Sequence, residues 1–76
     1  MTQLAECVDC LVLLTKLDPA EAVKRMDSCT APYYAHNRDN KQARGEVRKA
    51  FGDKMAAAGP DSKTTLAMLA ELDRWM

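Results

Sequence analysis

The groups best equipped for chemistry in this 76-residue chain are its three cysteines and its one histidine. Cys7 and Cys10 stand three apart, a spacing that puts two thiols on one side of a helix, and Cys29 and His36 could complete a tetrahedral zinc set. Their surroundings argue otherwise. Structural zinc usually takes a Cys-x-x-Cys pair from a tight turn, whereas this pair sits in an apolar helical stripe, where small cysteines fill core space. Buried, unpaired thiols are therefore expected, and no metal or other cofactor is assigned. A redox pair would want its thiolate just after a strand in a βαβ unit, a pattern absent from the sequence. His36 has no serine or cysteine nucleophile beside it and reads as a solvated or helix-capping group. Without a Gly-rich phosphate loop or a His-Glu-x-x-His, no catalytic residue is assigned and the expectation is a non-enzyme.

A second group is cationic. Arg38, Lys41, Arg44, Arg48 and Lys49 fall within about a third of a helical wheel drawn at ~100° per residue, with Tyr34, Asn37 and Gly45 on the same face. Eleven basic and eleven acidic residues cancel overall, but the net charges of residues 1–37, 38–54 and 55–76 are −2, +3 and −1. A stripe of this kind suits an acidic protein surface or a run of phosphates, and the plain alternative is a solvated face balanced by Glu46 and Asp53.

These residues need elements to position them, and the pattern is helical throughout. Leu4, Cys7, Val8, Leu11 and Leu14 recur on one stripe, with Cys10 and Val12 on its shoulders and Leu13 stranded on the polar side. This helix is expected to stop at Leu17 or Asp18, because Pro19 disfavours helical geometry before it. Asp18 then caps a second helix in which Pro19 comes first and Glu21 completes a capping pattern, so the two helices meet at a tight Asp-Pro corner. Ala22, Val23 and Met26 suit a short helix ending near Cys29, and Thr30-Ala31-Pro32 reads as a fresh start. Residues 36–40 are weakly helical and either bend or continue a helix. From Lys41 to Ala58 the period returns with Ala43, Val47, Ala50 and Phe51 inward, until Gly59-Pro60 stops it. Asp61 or Ser62 caps a last helix whose stripe is Leu66, Leu69, Leu72 and Met76 beside Met68 and Trp75. Asp73 falls inside that stripe and is expected to pair with a base on the third helix.

The fold class that follows is all-α: a single domain over residues 1–76, a compact bundle of three to five helices with two short ones at the N-terminal corner and two longer ones across them. The longest apolar run, Cys10 to Leu14, is too short to cross a bilayer, and three cysteines, an odd number, agree with a reducing compartment, so a cytoplasmic location away from membranes is expected. The functional expectation is a small binding protein, a regulator or inhibitor of a protein partner of the kind phages and mobile elements encode. Arg38, Lys41, Arg44, Arg48, Lys49, Tyr34, Leu13 and Trp75 are its candidate contacts. Leu13 would serve a partner or a second copy of the chain. A nucleic-acid-binding regulator using Arg38 to Lys49 is the alternative, followed by a zinc-stabilised module.

Overall fold

Local chemistry sets the start of two helices. The computed structural model describes residues 3–35, 40–58 and 62–75. In it the Glu21 backbone N–H donates to Asp18 Oδ1 at 2.7 Å and the Ala22 N–H to the Asp18 carbonyl at 2.9 Å. These bonds open α2 (Pro19–Ala35) at Pro19, whose missing N–H costs nothing in the first turn. The Glu21 carboxylate turns forward to Arg25 instead of back to the cap. Ser62 opens α4 (Lys63–Arg74) in the same way, accepting the Thr65 N–H at 2.9 Å. Asp61, the other candidate cap, lies outside the described residues, as do His36, Arg38 and Met76.

α1 (Leu4–Leu14) ends earlier than Pro19 alone requires. The Thr15 hydroxyl donates to the Val12 carbonyl at 2.6 Å, and Leu17 N–H bonds the Leu14 carbonyl at 3.0 Å. Such a side-chain bond competes with the helical ladder, and i→i+3 bonding tightens the exit into the Asp18-Pro19 corner.

The punctuation at residues 30–32 does not operate: α2 passes through Cys29, where it was expected to end, and continues to Ala35. Thr30 is fully buried and its hydroxyl donates back to the Met26 carbonyl at 3.1 Å, so it caps nothing. Pro32 removes a single bond to the carbonyl of Ser28, an exposed residue that water can serve. Against that cost of about 3 kcal/mol, continuing the helix buries Cys29, Thr30 and Tyr33, and packing of a buried face outweighs local preference.

α3 (Asn40–Ala58) contributes Ala43, Val47, Phe51 and Met55, spaced by four, to the interior. With 17 and 19 residues, α2 and α3 are the long helices and occupy the middle of the chain, not its second half. Each packs against both α1 and α4 as well as against the other, while α1 and α4 are not packed together. Leu11, Met26, Val47, Phe51, Met68 and Leu72 form the centre, all at most 1% exposed. The Cα radius of gyration, 11.3 Å, is that of a fully collapsed chain, for which about 11 Å is expected at this length. The described residues form an all-helical bundle of four helices.

The inward face of α4 is Thr64, Thr65, Met68 and Leu72. Leu66, expected on that stripe, is 56% exposed, lying about 160° from Met68 on the wheel. Docking of the helix start sets this rotation: the Thr64 hydroxyl donates to the Leu17 carbonyl at 2.7 Å, which lets a polar side chain occupy the buried edge without an orphaned group.

Candidate functional site

The basic stripe on α3 is not a uniform free surface. Lys41 and Lys49 are exposed, but Arg48 Nε lies 2.8 Å from Asp73 Oδ1 on α4. This is the pairing expected of Asp73. The guanidinium gets there by crossing Gly52, where a Cβ would sit 2.6 Å from Arg48 Nη1. Arg44 is half-buried. Its Nη1 donates to the Trp75 carbonyl at 3.1 Å and its guanidinium stands 5.6 Å from the centre of the Tyr34 ring. Glu46, on the same helix, accepts from the Tyr33 hydroxyl at 3.1 Å. Cation and anion therefore alternate across this side of the bundle.

Where α2, α3 and α4 meet, five side chains line an open cleft of about 400 Å³: Asp27 and Tyr34 from α2, Arg44 from α3, and Arg74 and Trp75 from the end of α4. Asp27 and Tyr34 are seven apart, two turns along one face. Glu71 organises the α4 side, accepting Trp75 Nε1–H on Oε1 at 3.0 Å and pairing through Oε2 with Arg74 Nη1 at 3.1 Å. Burial pushes the Tyr34 hydroxyl up to about 12, with the Arg44 charge pulling weakly the other way. The chemistry on offer is two guanidinium groups and one carboxylate around two aromatic faces.

Three of the sequence candidates, Tyr34, Arg44 and Trp75, converge here. Arg48 is drawn to Asp73, Lys41 and Lys49 stay in solvent, and Leu13 is 64% exposed on α1. Asp27, Glu71 and Arg74 were missed. Glu71 could have been found, because it stands three and four residues before Arg74 and Trp75, the spacing at which helical side chains touch. Asp27 carries no such local signal.

The expectation of three unpaired thiols is overturned. Cys10 and Cys29 form a disulfide joining α1 to α2, with Cα atoms 5.5 Å apart. The packing of α2 back along α1 after the Asp18-Pro19 corner brings Cys29 beside Cys10 on the shoulder of the α1 stripe, which sequence spacing alone does not reveal. Cys7 remains the free thiol, buried against the core, and burial raises its pKa from 9.0 to about 11. The zinc set Cys7, Cys10, Cys29 and His36 loses two thiolates to the bridge, and the described residues contain no group of three or more side chains disposed to hold a metal ion. Cysteine usage likewise no longer supports a reducing compartment, since disulfides persist in oxidising ones. No helix among the described residues is long and apolar enough to cross a membrane.

The chain matches no family model, no curated protein and no solved structure, so what it does has to be read from this cleft and its surroundings.

Proposed function

We propose that the chain is a small non-enzymatic binding protein that regulates or inhibits a protein partner by docking the α2–α3–α4 cleft against it. The observation that carries this reading is the convergence of Tyr34, Arg44, Arg74 and Trp75 on one open depression. Tyrosine, tryptophan and arginine are the side chains that most often dominate binding energy at protein interfaces. A cleft of about 400 Å³ accepts one or two side chains of a partner. The alternation of charge points the same way. A phosphate track wants a line of uncommitted cations, and here Arg48 and Arg74 are paired with Asp73 and Glu71. The exposed Leu13 adds an apolar contact for a partner or a second copy of the chain. A nucleic-acid reading retains the exposed Lys41 and Lys49 and the half-buried Arg44 among the described stripe residues, too few and too separated in burial for a phosphate track. As for location, the Cys10–Cys29 bridge favours a compartment that is oxidising over the cytoplasm.

The test is quantitative affinity capture from the native host with immobilised wild type, Trp75→Ala, Arg74→Glu and, as an exposed control at the far end of α4, Lys63→Glu. A protein retained by wild type and by the control should fall about 30-fold or more with Trp75→Ala, the loss expected of a hot spot worth ~2 kcal/mol. Arg74, whose side chain is 77% exposed, tests the same surface without burdening the fold. Equal retention by all four chains would refute the reading. Capture abolished by nuclease, with affinity falling steeply in salt, would transfer it to nucleic acid.

A further inference from the structure

We propose that the cleft accepts one acidic side chain of the partner together with an adjacent apolar side chain, and that Arg74, without releasing Glu71, turns its remaining N–H donors to the incoming carboxylate. This deepens the protein-binding reading and rests on it. The argument starts from Arg44. A guanidinium keeps its charge at any physiological pH, and a half-buried charge is costly unless a counter-ion compensates it. Yet Arg44 forms no ion pair among the described residues, only a hydrogen bond to a neutral carbonyl, that of Trp75, and a contact with the Tyr34 ring. Its Nε is buried and has no hydrogen-bond partner there. A fixed, under-compensated cation at the wall of a cleft is a place prepared for an anion.

Arg74 supplies the second cation from a different state. Its bridge to Glu71 joins a guanidinium that is 77% exposed to a carboxylate that is 18% exposed, and because Glu71 takes only one of its N–H donors, the others are free to meet a second carboxylate. Glu71 keeps both Arg74 and the Trp75 indole N–H, so the aromatic wall stays in place. Tyr34 and Trp75 then offer apolar surface to the neighbouring side chain of the partner. Asp27, on the same cleft and exposed, sets the limit: it repels a second carboxylate. The geometry therefore selects a segment with an isolated acid over a polyacidic one.

The probe is an N-acetylated, C-amidated phenylalanyl-glutamate dipeptide, titrated into the intact ¹⁵N-labelled protein while the Trp75 indole N–H and the Arg74 Nε–H are followed by NMR. Saturating shifts at both groups are expected, with the neutral glutamine analogue about tenfold weaker, the loss of one charge-assisted contact. Arg74→Gln should weaken the glutamate probe by a similar factor at an unchanged melting temperature, and Asp27→Asn should tighten a blocked triglutamate more than the dipeptide. Equal binding of the glutamine analogue, an unaffected Arg74→Gln, stronger binding of a free-acid glutamine dipeptide through its chain end, or no saturable shift with millimolar probe would each overturn the proposal. Its failure is separable from that of the broader reading. A captured protein still lost on Trp75→Ala with no dipeptide binding sinks only the carboxylate, whereas glutamate binding beside nuclease-sensitive capture sinks only the protein partner.

Discussion

Reducing the Cys10–Cys29 bridge should cost this domain a large share of its stability. The bridge closes a loop of 19 residues' separation, and cross-linking a loop of that size removes about 11 cal/mol/K of entropy from the unfolded chain, or about 3 kcal/mol at 25 °C. A domain of this length has a total of about 4–11 kcal/mol at ordinary per-residue stabilities, so the loss is about a quarter of it or more. In a thermal melt it corresponds to a fall of about 12–24 °C, at the 4–8 °C per kcal/mol typical of small domains. Urea denaturation followed by circular dichroism, with and without a thiol reductant, measures it directly. Reduction is cleaner than Cys29→Ser, because Cys29 is only 4% exposed and a buried hydroxyl adds its own penalty. Mass spectrometry after iodoacetamide supplies the covalent check. The native protein should take up almost no label at pH 8, since Cys7 is buried with a pKa of about 11, the unfolded unreduced chain one label, and the unfolded reduced chain three. Three labels without reductant, a mapped Cys7 bridge, or equal urea midpoints in the two redox states would refute the reasoning.

The two glycines inside α3 should respond unequally to alanine. Gly45 has open space where a Cβ would go, so Gly45→Ala should stabilise by about 0.5–1 kcal/mol in urea melts through helix propensity, while Gly52→Ala should gain less because its Cβ displaces the Arg48 guanidinium from Asp73; equal gains would deny that contact any role. Stability should be flat from neutral pH to about 9 and then fall towards 12, because burial lifts Cys7 to about 11 and Tyr34 to about 12. The unfolded chain, with ordinary values, releases those protons first as pH rises, so base favours unfolding in that window. Urea midpoints that hold or rise above pH 9 would contradict both shifts, and Cys7→Ala should move the onset up towards 10.

Residue placement separates what was legible in the sequence from what was not. The Asp18 and Ser62 caps, the Pro19 corner, the inward Cys7, Val8 and Leu11 and the stranded Leu13 all follow from side chains within a turn or two of one another, and the chain carries that information wherever it folds. Asp73 does pair with the third helix as expected, but not for the expected reason: its side chain is 53% exposed, off the buried face of α4, and it meets Arg48 at the helix–helix edge. Thr30-Ala31-Pro32 misled altogether. Its local preference against a continuous helix is about 3 kcal/mol, the cost of an interior proline, and burial of Cys29, Thr30 and Tyr33 outweighs it.

By itself, then, the sequence determined that the chain is helical and where two of its helices begin. Which cysteines join, which face of α4 turns inward and which of the cations stay in solvent were decided only by the tertiary structure. Local rules reach about four residues along a helix, the distance over which caps and side-chain pairs act. Cys10 and Cys29 are 19 apart and Arg44 and Trp75 are 31 apart, so their meeting depends on how α2 and α3 set the helix faces against each other. The cleft is a product of that arrangement: Asp27, Tyr34, Arg44, Arg74 and Trp75 come from three helices, and no window of sequence short enough to read by periodicity contains them all.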